Sequence, residues 1–193
     1  MIEREIKAML TEGEYITLAR FKCQHKAVNL QTNYYFDTDD LSMNEKGITC
    51  RIRHKNGLYK ATVKKHNADG AECSIETDIC EKAEFDPTVF NALGLRFQGE
   101  LVTERLKLCD DVFCKIVLDK NTYLGKTDFE LEIEYSEAYK KKAFVCLDDI
   151  ADLVERAIAD EPPALMKDGG YIKNGFNEEL DRLRNITGGG KDL

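Results

Sequence analysis

Charged and apolar residues alternate along most of this chain, and a period of two defines strands. The pattern opens at once: Glu3, Glu5 and Lys7 share one face of the first stretch, and Ile2, Arg4 and Ile6 the other. Thr11-Glu12-Gly13-Glu14 then reads as a capping box. Tyr15, Leu18 and Ala19 follow at helical spacing, which predicts a helix over 12–23. A β-rich run with Tyr34, Tyr35 and Phe36 covers 31–36, and further strands are read over 48–54, 58–65, 72–79, 101–108, 112–118 and 128–135. Asp37-Thr38-Asp39-Asp40 breaks the first of these runs, and 43–47 is a short turn or helical turn. Asn56-Gly57 is a strong hairpin signal between two others. Asp86-Pro87 looks like an N-cap followed by proline at the first helical position, predicting a short helix stopped by Gly94. The class is α+β, with about eight strands in a large antiparallel sheet.

An ordinary sheet with one wet face also alternates, but it mixes the signs of its charges, because like charges side by side repel. Here the signs are sorted by strand. Glu3 and Glu5 are acidic, as are Glu130, Glu132 and Glu134; Arg51 and Arg53, Lys60 and Lys64, and Arg105 and Lys107 are basic. Sorted rows make sense facing a closed interior, where acidic strands hold a cation and basic strands a polyanion. The sheet is therefore expected to close into an eight-stranded antiparallel barrel with a polar lumen and helices over its apolar outer face. Phosphate is the polyanion that suits arginine forks and lysine charges. Magnesium or manganese suits a site made of carboxylates. The matching chemistry is phosphoryl transfer. There is no GxxxxGK[ST] loop and no kinase loop set, so a P-loop enzyme is excluded.

Composition narrows the field further. The 193 residues suffice for one full domain, with or without a small appendage. A net charge of −8 argues against a general nucleic-acid binder. No apolar run approaches the length of a membrane span, and the N-terminus enters the charged strand directly, without a signal-peptide pattern. The seven cysteines are odd in number and show no CxxC spacing, which argues against a zinc site or a disulfide framework. Free thiols in a reducing cytoplasm are the plain reading. The three histidines form no ligand pair at helical spacing.

The ordered set of motifs resembles a known family. Glu3-x-Glu5-x-Lys7 is similar to the ExExK signature of the CYTH superfamily, the triphosphate tunnel metalloenzymes. The likeness continues through Tyr34-Tyr35-Phe36-Asp37-Thr38, Arg51-Ile52-Arg53, Ala61-Thr62-Val63-Lys64, Arg105, Leu118-Asp119 and Glu130-Leu131-Glu132. It resembles the small bacterial members of Firmicute type, including the Tyr123-Leu124-Gly125 turn, and covers roughly 1–144. The resemblance implies an eight-stranded tunnel that binds triphosphate in its lumen. It implies Glu3, Glu5, Glu130 and Glu132 as metal ligands, with Glu134 on the same face and Glu76 and Asp119 completing the acidic set. Lys7, Arg51, Arg53, Lys64 and Arg105 would grip triphosphate, with Lys60 and Lys107 as extra basic residues. Glu3, Glu5 and Lys7 would form the catalytic signature. The expected reaction is hydrolysis of a terminal phosphoanhydride in a small triphosphate, dependent on Mg²⁺ or Mn²⁺. The alternatives are an adenylate cyclase of the same superfamily and a non-catalytic polyphosphate or nucleotide binder.

The end of the chain departs from that pattern. The basic C-terminal segment expected of such a protein is missing. Leu147, Ile150, Ala151, Val154 and Ile158 make a helical stripe, followed by Asp160-Glu161-Pro162-Pro163 and by Gly175-Phe176-Asn177-Glu178-Glu179-Leu180. This stretch resembles a piece of the core domain of the mismatch-repair protein MutS. The expected organisation is a tunnel domain over 1–145 and a helical tail over 146–193. The tail lacks ATPase and mismatch-reading segments, so no repair function is carried over.

Overall fold

The computed structural model describes residues 2–22, 28–66 and 73–157, excepting the side chains at 2, 3, 21, 22, 73 and 153–157. Eight antiparallel strands close into a barrel in the order β1-β5-β4-β3-β2-β6-β7-β8. They are β1 (Ile2–Leu10), β2 (Asn29–Asp37), β3 (Ile48–Lys55), β4 (Leu58–His66), β5 (Cys73–Lys82), β6 (Arg96–Asp110), β7 (Cys114–Tyr123) and β8 (Lys126–Tyr135). The helices are α1 (Glu12–Lys22), α2 (Ser42–Glu45), α3 (Thr88–Asn91) and α4 (Lys140–Ala157). No helix among the described residues is long and apolar enough to cross a membrane.

The barrel closes through β1, which changes partner half-way. Residues 2–4 pair with β5, and residues 5–10 pair with β8. Both faces of the wall are then covered. Along β8, Glu130, Leu131, Glu132 and Ile133 are all buried. A sheet with one wet face would expose every second one of them. The apolar members meet Ile6, Ala8 and Leu10 of β1, Leu18 of α1, and Leu147 and Ile150 of α4 in the main outer core. A second outer core seats Phe90 of α3 and Leu95 against Phe36, Ile52 and Ala61.

Local chemistry explains the connections. The capping box forms: the Thr11 amide donates to Glu14 Oε2 at 2.7 Å, and the Glu14 amide to Thr11 Oγ1 at 3.3 Å. Asn56 and Gly57 take φ of 53° and 79°, and Leu124 and Gly125 take 46° and 77°, the left-handed pairs a two-residue hairpin needs. Asp37 ties the end of β2 to the start of α2. Its carboxylate accepts the amides of Met43 and Asn44, each at 2.9 Å, and so fixes α2.

Several boundaries differ from the sequence reading. β6 begins at Arg96, five residues earlier, because an offset between Tyr35 and Phe36 of β2 lets Gly99 and Phe97 join the ladder. β7 begins at Cys114, because residues 111–113 form the bend between strands. It then runs on through Asp119 to Tyr123, so Asp119 lies inside a strand. Pro87 itself occupies the N-cap position of α3, while Asp86 Oδ1 accepts the Thr88 amide at 2.9 Å. The helix α4 runs unbroken through the expected junction at 145 and 146, with Leu147, Ile150 and Ala151 buried. The predicted contributions of Glu72, Cys23 and Ile158 lie outside the described residues, as does the remainder of the tail.

Candidate active site in the barrel lumen

The inward positions of all strands except β5 line one cavity of about 110 Å³. A water needs roughly 10–15 Å³ by the same measure, so the space holds a ligand of several heavy atoms. Ten charged side chains line it: Lys7, Arg51, Arg53, Lys64 and Arg105 against Glu5, Asp119, Glu130, Glu132 and Glu134. Strand parity puts them there. Arg51 and Arg53 alternate with buried Cys50 and Ile52, and Glu130 and Glu132 alternate with Leu131 and Ile133.

The acidic side gathers on β1 and β8 around one ammonium. Lys7 Nζ lies 2.9 Å from Glu130 Oε1, 3.3 Å from Glu132 Oε2 and 3.9 Å from Glu5 Oε2. Enclosure in the lumen works against its charge, but Glu130, Glu132 and Glu5 outweigh that and hold it well above the usual lysine range. Two of the three glutamates on β8 shift in opposite directions. Burial pushes Glu130 above the usual carboxylate range in spite of Lys7. Burial acts on Glu132 too, but Lys7 and Arg105 overcome it and hold Glu132 well below that range. Glu5 accepts from Lys64 Nζ at 2.6 Å across the lumen.

The basic side gathers on β3 and β6. Arg105 donates through Nε and Nη2 to the two oxygens of Asp119 at 2.7 and 2.6 Å, and through Nη2 to Glu132 at 3.0 Å. Arg51 Nη2 donates to Glu76 at 2.8 Å. Arg53 differs from both. Its Nε donates to the Asn33 amide oxygen at 2.8 Å, and no carboxylate among the described residues lies within ion-pair distance of it. Burial, then the like charges of Arg51 and Arg105, lower its guanidinium to about 10.

The fold therefore brings together most of the residues singled out in the sequence. Glu76 reaches the site through Arg51 rather than through the cavity wall. Lys60 and Lys107 do not join the wall. Lys60 pairs with Asp78 at 2.8 Å and Lys107 with Asp110 at 2.5 Å, both partly exposed near strand ends. Glu3 sits opposite Ser74 in the register, and its side chain lies outside the described residues. The sequence placed Thr103 on the face of Arg105 but gave no role to the neutral lining, in which Gln31, Asn33, Thr103 and Asn121 are buried in the same wall. Thr103 donates to Asn121 at 2.8 Å. The signal was available as parity, since Thr103 lies two positions from Arg105 and Asn121 two from Asp119.

A CYTH domain model matches residues 1–150. The chain belongs to the CYTH family. Among curated relatives, YjbK of Bacillus subtilis, assigned as a triphosphatase, is 30% identical, the match covering 74% of this chain and 83% of that one. A Bacillus halodurans crystal structure, assigned as an adenylate cyclase, shares the fold of this CYTH protein with a TM-score of 0.65 at 24% identity. It covers 79% of this chain and 89% of that one. The CYTH chain also carries a partial likeness to MutS of Ruminiclostridium cellulolyticum, 34% identical over 97 residues, but it spans only 11% of that protein.

A divalent metal fits the acidic side on the geometry of this CYTH lumen. Glu130 Oε1 is buried and accepts no hydrogen bond, although Lys7 Nζ stands 2.9 Å away outside hydrogen-bond geometry. Glu5 and Glu132 stand around the same ammonium. Hard carboxylate oxygens in that number suit magnesium or manganese.

Proposed function

We propose that this CYTH protein hydrolyses a small triphosphate, inorganic triphosphate being the simplest, in its lumen. The observation that carries this reading is Arg53. A guanidinium enclosed beside two other arginines, with no carboxylate within ion-pair distance among the described residues, calls for an anionic ligand. Arg51, Arg105 and Lys64 stand around the same cavity and add donors to phosphate oxygens. A chain of phosphates suits this better than a single anion, because the basic groups are spread over β3, β4 and β6. The assignment of YjbK as a triphosphatase supports the same reading.

The chain's own residues would divide the work. Arg51, Arg53 and Arg105 bind and orient the phosphate chain. Lys64 and Lys7, each tied to carboxylates, hold positive charge where the bridging oxygen leaves. Glu5, Glu130 and Glu132 would hold magnesium or manganese, with Glu3 and Glu134 beside them. When bound, the metal supplies charge stabilisation and a positioned water. Water adds to the terminal phosphorus, the phosphoanhydride bond breaks, and diphosphate and phosphate leave. The barrel would carry this site, with α4 packed on its outer face.

The test is phosphate release from inorganic triphosphate with magnesium or manganese, for the wild type and for Glu5→Gln. Metal-dependent release that falls at least about a hundredfold in the variant is expected, the scale of losing a charged active-site group. Tight binding without release in the wild type overturns hydrolysis in favour of a binding module. Cyclic nucleotide formation from ATP overturns it in favour of the cyclase assignment of the Bacillus halodurans relative.

A further inference from the structure

A second cluster of metal-binding side chains lies outside the lumen, where β6 turns into β7. Ligand atoms of Cys109, Asp111 and Cys114 all lie within 4.8 Å of one another. None of the three lines the cavity. The ladder slips between Lys107 and Cys109, and such a bulge re-aims the side chains after it. The bend then presets the carboxylate. Asp111 Oδ1 accepts the amides of Phe113 and Cys114 at 2.7 and 3.0 Å. That leaves Oδ2 turned to the Cys109 sulfur at 3.6 Å.

The bend is held against the segment that leads into α4. Phe113 meets Tyr139 edge-on at 5.0 Å, and Lys142 Nζ lies 3.3 Å from the Phe113 ring centre. Cys146 of α4 packs against the same outer core as Cys109. Two sulfurs and one carboxylate oxygen thus converge at the β6–β7 bend.

We infer that Cys109, Asp111 and Cys114 form a second metal site, for a thiophilic divalent cation with zinc as its natural occupant, at the β6–β7 bend. Ligand chemistry separates it from the lumen: sulfur selects zinc, while the carboxylates of β1 and β8 select magnesium or manganese. Three protein donors leave the fourth tetrahedral position to water. A zinc–sulfur bond of about 2.3 Å sets tetrahedral sulfurs roughly 3.8 Å apart, so rotation of side chains by about an ångström closes the cluster. Asp111 is exposed and Cys109 half-buried, which gives the ion a way in. The spacing of the cysteines along the chain hid this site, because Cys109 and Cys114 stand on two strands either side of a bend rather than at CxxC spacing.

The experiment uses the full chain, reduced and stripped of metal, titrated with cobalt(II) and then with zinc in competition. The expected result is a thiolate-to-cobalt charge-transfer band that zinc abolishes. Cys109→Ser and Cys114→Ser should remove the band, and the lumen variant Glu5→Gln should keep it. Asp111→Asn is the sharper probe. Its amide oxygen keeps the two backbone bonds of the bend while Oδ2 is lost as a ligand, so the fold stands and affinity falls at least about tenfold. No band in the wild type overturns the inference. A band that persists in the double serine variant also overturns it, as does an unchanged affinity in Asp111→Asn.

Discussion

Arg53 Nε donates to Asn33, while Arg51 and Arg105 press their like charges on its guanidinium. In the free protein that side chain costs stability, and only a bound anion offsets the cost. Arg53→Gln should therefore leave the denaturation midpoint unchanged or raise it. Triphosphate affinity, measured by calorimetry, should fall about tenfold to a hundredfold, the loss of a charged hydrogen bond. A lowered midpoint with unchanged affinity would show that Arg53 serves the barrel wall instead. His66, at the end of β4, gives a pH effect at the same scale. Burial, then Lys64, depress it from 6.5 to about 4. The unfolded chain therefore binds the extra proton first, and stability is complete above pH 6.5 and lost as the pH falls toward 4. The loss should reach about 1 kcal/mol between neutral pH and pH 5 after allowance for partial exposure. His66→Gln should flatten that slope in urea titrations at the two pH values.

Among the elements, β7 and β8 decide stability because they are enclosed on both faces. Leu118 is fully buried in the outer core, on the strand that carries Asp119 into the lumen. Leu118→Ala should cost about 3 kcal/mol, read as a lowered urea midpoint. Much at this scale was legible in the sequence. Alternation and one β-rich run located the strands, and the sorting of charges by strand implied a closed interior. What was hidden follows from pairing rather than pattern. The early start of β6 depends on an irregularity in its partner β2, which no periodicity within β6 records. Lys60 and Lys107 have the right parity but lie near strand ends, where Asp78 and Asp110 hold them. Gln31 and Asn33 escaped because a neutral residue in a charged wall carries no alternation of charge.

For the whole molecule, the seam at β1 sets where the barrel opens. Its join to β5 has three paired positions among the described residues, against six to β8. Amide hydrogen exchange should be fastest at residues 2–4 and slowest in β7 and β8, because exchange follows local opening. Equal protection along β1 would mean that the barrel opens only as a unit. The same arrangement has a consequence during synthesis. Of the eight barrel strands, β1 leaves the ribosome before the others and finds its longer partner only when β8, more than a hundred residues later, has followed. Until then the growing sheet is a trough with two free edges and its rows of charge open to water. β1 waits for nearly the last of the barrel, and no translation intermediate that stops short of Tyr135 contains the complete charged lumen.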